Sequence, residues 1–200
     1  MVLAESVFLG IALGLLCGGR LGALGRLPIR RLWLVYAAVL LQVVAFPSGR
    51  LPWSTPDGVA RVLWVASYAL LLAFVSTNIR IRGVPVIAAG LLCNLAAILA
   101  NAGHMPAEPA AVRAAGLAYR LHNNSITTAH AHLGWLVDRW AVPSWILLGN
   151  VFSIGDVLIA AGTAAAVWLA MLRRDPVESS TPSPASAQRE APGRADAAHT

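Results

Sequence analysis

"VFSIGDVLIAAGTAAAVWLAML", Val151–Leu172, opens on a serine and an acid, then runs through Val157, Leu158 and Ile159 into alanines as far as Trp168. A helix crossing the hydrocarbon of a bilayer needs about 20 apolar residues, and this stretch has that length and character. Its start is equally legible. Ser153-x-x-Asp156 has the form of a capping box, the serine capping the first turn and the acid reaching back to it. Phe152 and Val157 supply the accompanying hydrophobic staple, and Asp156 suits the positive end of the helix dipole. A helix cap alone would account for all three residues.

Four more apolar runs precede it: Val2 to Gly19, Leu32 to Pro47, Val59 to Asn78 and Val84 to Ala102, with the last span taken from Ile154 to Leu172. The whole chain of 200 residues is 58% hydrophobic and only 12% charged, with mean hydropathy +0.67. A soluble domain carries about a quarter charged residues. The expectation is an all-α, polytopic membrane bundle of five transmembrane helices over residues 1–174. The first run has Glu5 and no basic start, the reverse of a signal peptide, and reads as a span. The second is short, so Arg30 and Arg31 are expected to snorkel to the interface.

All 15 basic residues are arginine, giving a net charge of +6. They punctuate the apolar runs and form no continuous basic stripe, which argues against nucleic acid as a partner. Arg20, Arg26, Arg30 and Arg31 follow the first span, Arg80 and Arg82 the third, Arg173 and Arg174 the fifth. The positive-inside rule puts these on the cytoplasmic side, with the N-terminus out and the C-terminus in. The long connection at 103–153 is then extracytoplasmic. Residues 175–200, rich in Pro, Ala, Ser and Arg, read as a disordered cytoplasmic tail. The expected setting is the cell membrane, crossed several times.

Within this frame several residue groups invite a role. Gly10, Gly14 and Gly18 form a small-xxx-small stripe, suited to internal packing or to a homodimer. Gly90, Asn94, Ala97 and Asn101 share a face of the fourth span, and two carboxamides in lipid need partners worth about 1–2 kcal/mol. "NAGHMP", Asn101 to Pro106, stops that span, Gly103 suiting the C′ position. His104, with His130 and His132 two apart on one face of a strand, are weak metal candidates. No HExxH-like spacing supports them, so neither a metal nor a cofactor is expected. Cys17 and Cys93 lie in apolar runs and read as reduced. Trp135, Trp140 and Trp145 suit the membrane interface.

The sharpest pairing is Asp138 with Asp156. Eighteen residues separate them, enough chain to leave the last helix and return to its outer end. Two close carboxylates share a proton, so one can serve as general base and the other as general acid. Asn94, Asn101, Asn150 and Ser153 would be the supporting polar residues.

Two resemblances attach to these residues. The chain resembles a family of uncharacterised bacterial integral membrane proteins through "GGRL" at Gly18–Leu21, "NAGHMP" and "VFSIGDVLIAAG" at Val151–Gly162, and the acid at Asp138. That resemblance implies a topology and no activity. More narrowly, Phe152, Ser153, Gly155, Asp156 and Gly162, with Leu136-Val137-Asp138 upstream, are similar to the aspartate motifs of lipoprotein signal peptidase, an intramembrane aspartyl protease. Ser153 stands where that family has asparagine, and its asparagine-glycine stretch in the first outer loop has no counterpart. The first expectation is therefore an integral membrane protein with a structural, scaffolding or assembly role. The alternatives are a membrane-embedded hydrolase using Asp138 and Asp156 on a membrane-anchored or lipid-linked substrate, and a small-molecule or ion carrier using Asn94, Asn101 and Asp156.

Overall fold

A computed structural model describes residues 2–47, 53–117, 125–128, 130–142 and 150–173. The expected tail at 175–200 and Trp145 lie outside the described residues. Five apolar helices form where the runs lie: α1 (Val2–Leu16), α2 (Trp33–Ala45), α3 (Asp57–Thr77), α4 (Val84–Ala100) and, after the long connection, a helix over Ile154–Met171. Each start is dictated locally. Pro85 occupies the first turn of α4, where a missing N–H costs nothing, and Asp57 sits at the positive end of α3. The stops are equally local. Gly18 takes a φ of +77° just past α1. At the end of α4 the Gly103 N–H bonds the Ile98 carbonyl at 2.9 Å, the six-to-one closure of a Schellman motif. Ala102, at φ +55°, holds the C′ position expected for Gly103, which stands one residue later at φ +88°.

The connection is less purely helical than expected. Among its described residues it carries four three-residue strands, β1 (Met105–Ala107), β2 (Ser125–Thr127), β3 (Trp140–Val142) and β4 (Asn150–Phe152), and one short helix, α5 (Pro109–Ala114); the helix over Ile154–Met171 is α6. β1 pairs in parallel with β2, β3 pairs antiparallel with β4, and an isolated bridge joins Ala107 to Asp138. A small core of Ala107, Ala111, Val112, Ala115 and Val151 sits beneath. Strands this short are too brief for a two-residue period to register in the sequence, which is why an all-α reading missed them.

The helices pack in a row: α2 on α3, α3 on α4, α4 on α6, α6 on α1. Glycine sets the two closest approaches. A Cβ on Gly90 would lie 2.5 Å from the Gly155 carbonyl, and one on Gly162 would lie 2.8 Å from the Gly83 carbonyl. The two pairs are seven residues apart on each helix, so α4 and α6 run antiparallel with backbones nearly touching. Gly10 packs on Ala164 and Val167 and Gly14 on Met171, so part of the glycine stripe is used within the chain, against α6.

The arginine-bearing links gather at one end of this row. The Arg20 N–H bonds the Met171 carbonyl at 3.0 Å. Asn78 clamps the Arg30 backbone, accepting from its N–H at 2.8 Å and donating to its carbonyl at 2.9 Å. The long connection lies at the other end. α3 and α6 are long and apolar enough to cross a membrane, α1, α2 and α4 are apolar but shorter, and only 22% and 28% of the apolar windows of α3 and α6 are buried in the bundle.

Candidate functional site

Where α6 begins, four polar side chains converge. The capping box is formed: the Asp156 N–H donates to Ser153 Oγ at 3.1 Å, and the Ser153 N–H donates to Asp156 Oδ2 at 3.0 Å. The same carboxylate is reached from the neighbouring helix, where Asn94 Nδ2 donates to Asp156 Oδ1 at 2.9 Å. Ser153 Oγ lies 2.8 Å from Asn94 Oδ1 and 3.1 Å from Asp156 Oδ2, so its single proton chooses between them. Ser153 and Asn94 are almost wholly buried, at 0% and 3% exposure. Buried polar groups must be paired or they destabilise the fold, and here they pair with one another.

Gly155 makes this possible. A Cβ there would overlap the Asn94 carboxamide and stand 2.7 Å from the Gly90 carbonyl. Within Ser153-Ile154-Gly155-Asp156 three residues therefore have distinct tasks: serine caps, glycine admits Asn94, and aspartate closes the box.

Asp138 arrives by a separate route. Its N–H bonds the Pro106 carbonyl at 3.0 Å and its carbonyl accepts from Glu108 N–H at 2.8 Å, fixing it beside β1. Two residues on, Trp140 pairs with Phe152 and stacks on its ring, and β4 leads directly into Ser153. The β3–β4 register thus carries Asp138 to the mouth of α6. It is buried, at 8% exposure, and among the described residues nothing hydrogen-bonds its carboxyl. Burial first, and the Asp156 carboxylate second, push its pKa from an ordinary 3.8 to about 8. Next door, Arg139 forms an ion pair with Glu108 at 3.8 Å between half-exposed side chains, a contact worth little in water.

Tyr68 was not singled out in the sequence and belongs here. It is buried at 8% exposure on α3, with its hydroxyl at the Asn94 side chain and within reach of the charges of Asp156 and Asp138. Its signal was a phenol placed beside Ser67 inside an apolar run. Buried tyrosines seek a partner for the hydroxyl.

Other expected residues lie elsewhere. Asn101 caps its own helix end, donating to the Ala97 carbonyl at 2.8 Å, and grips the connection by exchanging two hydrogen bonds with the His132 backbone, both at 2.9 Å. Asn150 sits at the far end of β4, paired through its backbone with Val142. His130 and His132 lie in bends and turns and not on a strand, so they do not share a strand face as expected. Strand pairing is taken by Ser125–Thr127 before them and by Asp138–Val142 after them. Among the described residues His104, His130 and His132 enter no cluster of three metal-binding side chains. The His104 Nδ1 is buried and has no partner among the described residues.

Chemically, the arrangement sets two acids in contrasting environments. One is supplied with donors on both oxygens. The other is buried within reach of its charge, with no donor from the described residues. Such asymmetry is how paired carboxylates take different protonation states at one pH.

No curated protein and no solved structure matches the chain. The model of the family of unknown function DUF5317 matches residues 26–168, a span holding every residue of this constellation, and the chain belongs to that family.

Proposed function

We propose that the chain is a membrane-embedded aspartyl hydrolase, with Asp138 and Asp156 as its acid–base pair at the extracytoplasmic mouth of a five-span bundle. The observation that carries this is the buried Asp138, brought to the mouth of α6 by the β3–β4 register and within reach of the Asp156 charge, with no hydrogen-bond donor of its own among the described residues. The arginine-bearing links at one end of the row and the unburied apolar flanks of its helices support this topology. The N-terminus faces out, the C-terminus faces the cytoplasm, and the 103–153 connection lies at the outer leaflet. α2, at 13 residues, spans only about 20 Å, so the bilayer thins or flanking residues snorkel around it.

In this reading Asp156 is the base. Asn94 takes one acceptor position of its Oδ1, and a second lone pair remains. A water bound there gives its proton to Oδ1, and its oxygen attacks the substrate carbonyl carbon. Asp138, protonated at neutral pH, gives its proton to the carbonyl oxygen. Collapse of the resulting diol breaks the bond to the leaving group, which departs with the proton from Asp156, while Asp138 recovers its own. Water is added across the bond and both acids return to their starting states. A membrane-anchored peptide or lipid-linked ester reaches such a site from the plane of the bilayer.

The test uses the purified full chain in liposomes with a pool of lipid-anchored peptides in ¹⁸O-labelled water. Label should enter a product carboxyl, and D138N and D156N should each abolish incorporation while the protein still unfolds cooperatively. No incorporation, or incorporation that survives both substitutions, rejects hydrolysis. Reporter fusions after Arg31 and near Ala110 should report opposite compartments.

A structural or assembly role, the first expectation from the sequence, is the second reading here, on one observation: the contacts of Asp156 with Ser153 are those of a helix cap and need no chemistry.

A further inference from the structure

At the end of the row opposite the acids, the close contact of Gly83 with Gly162 gives way to a shallow groove between the α3–α4 link and the end of α6. Leu27, Ile81, Ala166 and Leu169 line its walls along with Arg82 and Arg173. Every charged residue in 18–32, 78–83 and 170–173 is arginine. Neither Arg82 nor Arg173 makes a hydrogen bond or ion pair with the described residues, and both side chains are exposed. Two like charges therefore share one mouth, and among the described residues of these segments there is no carboxylate to balance them.

We propose that this groove binds the headgroup of an anionic phospholipid, its phosphate held by Arg82 and Arg173 and the upper acyl chains lying along Ala166 and Leu169. Guanidinium forks match phosphate oxygens in geometry and charge. The apolar wall argues for a lipid over a free anion, because it is continuous with the unburied flank of α6. A basic pocket between helices on the cytoplasmic side is where such lipids bind. The proposal rests on the membrane topology above and is independent of hydrolysis.

The full chain is reconstituted in nanodiscs of phosphatidylcholine mixed with phosphatidylglycerol. Lipids co-purifying after detergent exchange are counted by native mass spectrometry. The wild type should retain phosphatidylglycerol in preference to phosphatidylcholine, and R82Q/R173Q should lose that preference by on the order of tenfold. R30Q/R31Q, which removes equal charge from the same end, should keep it. Inorganic phosphate should not displace the lipid at millimolar concentration. Equal loss in both double variants would reduce the effect to bulk surface charge and overturn the site, as would displacement by phosphate. Failure of the chain to enter nanodiscs would instead overturn the topology, and retention by R82Q/R173Q would overturn the groove alone.

Discussion

Asn94 on α4 donates its side-chain N–H to Asp156 on α6 at 2.9 Å, and its oxygen lies 2.8 Å from the hydroxyl of Ser153. One carboxamide thus bridges both members of a capping box from outside the helix they cap. The cap becomes part of the α4–α6 interface and is no longer a local device.

Asn94→Ala should therefore cost more than a surface contact. It strips a donor from Asp156 and an acceptor from buried Ser153, and leaves a small void. A loss of about 1–3 kcal/mol is expected. Ser153→Ala removes the cap for about 1 kcal/mol or more. Because the two share partners, the double variant should lose less than the sum of the singles. Urea or thermal unfolding in detergent, arranged as a double-mutant cycle, measures the coupling. Strict additivity would mean that the bridge has no energetic content.

Much of this was readable beforehand, for reasons that differ by residue. The cap at Ser153 and Asp156 is a contact between near neighbours, and spacing alone reveals it. The shared face of Gly90 and Asn94 follows from helical period. What Asn94 faces does not, because the partner lies 62 residues away and is selected by a glycine whose only signature is a missing side chain. Asn101 shows the converse. It lies on the same face by period, yet at the helix end its amide is claimed by the local carbonyl of Ala97 and the backbone of His132. Tyr68 escaped notice because one hydroxyl in an apolar run has no pattern.

Gly155→Ala tests the close approach directly. The new methyl would collide with the Asn94 carboxamide and with a backbone carbonyl at 2.7 Å. Overpacking of this kind costs about 1–3 kcal/mol, and here it should also separate Asn94 from Asp156. Gly58→Ala is the control. It lies in the first turn of α3 with nothing near its Cβ position, and in a helix alanine is favoured over glycine by up to about 1 kcal/mol. Opposite shifts in unfolding midpoint are expected from one chemical change at two sites. If Gly155→Ala left the midpoint unmoved, α4 and α6 would have to stand further apart than described.

Asp156→Asn separates the cap from the carboxylate. The amide keeps one oxygen to accept from Ser153 N–H but turns an N–H₂ toward donors, so one of its contacts becomes a clash of donors. Stability should fall by about 1 kcal/mol, the scale of a lost cap. Asp138→Asn has no hydrogen bond to lose among the described residues and should not destabilise the protein at neutral pH. Paired melts of the two variants decide this, and an equal loss in both would make Asp138 structural as well.

The pH dependence of stability should report Asp138. Its carboxyl titrates near 8 in the folded chain against an ordinary 3.8, mainly from burial and then from the Asp156 carboxylate. Between those values the folded state holds a proton that the unfolded chain has released. Stability therefore falls as pH rises through this window, by at most about 1.4 kcal/mol per pH unit. Below the window both states are protonated and the contribution is complete; above it both are ionised and the contribution is gone. Asp138→Asn stays neutral throughout and should flatten this part of the profile, so the variant gains on the wild type as pH rises from 5 to 8. Unfolding midpoints of both proteins at several pH values in one detergent provide the measurement. Parallel profiles would place the proton on some other group and would remove the acid from the proposed pair.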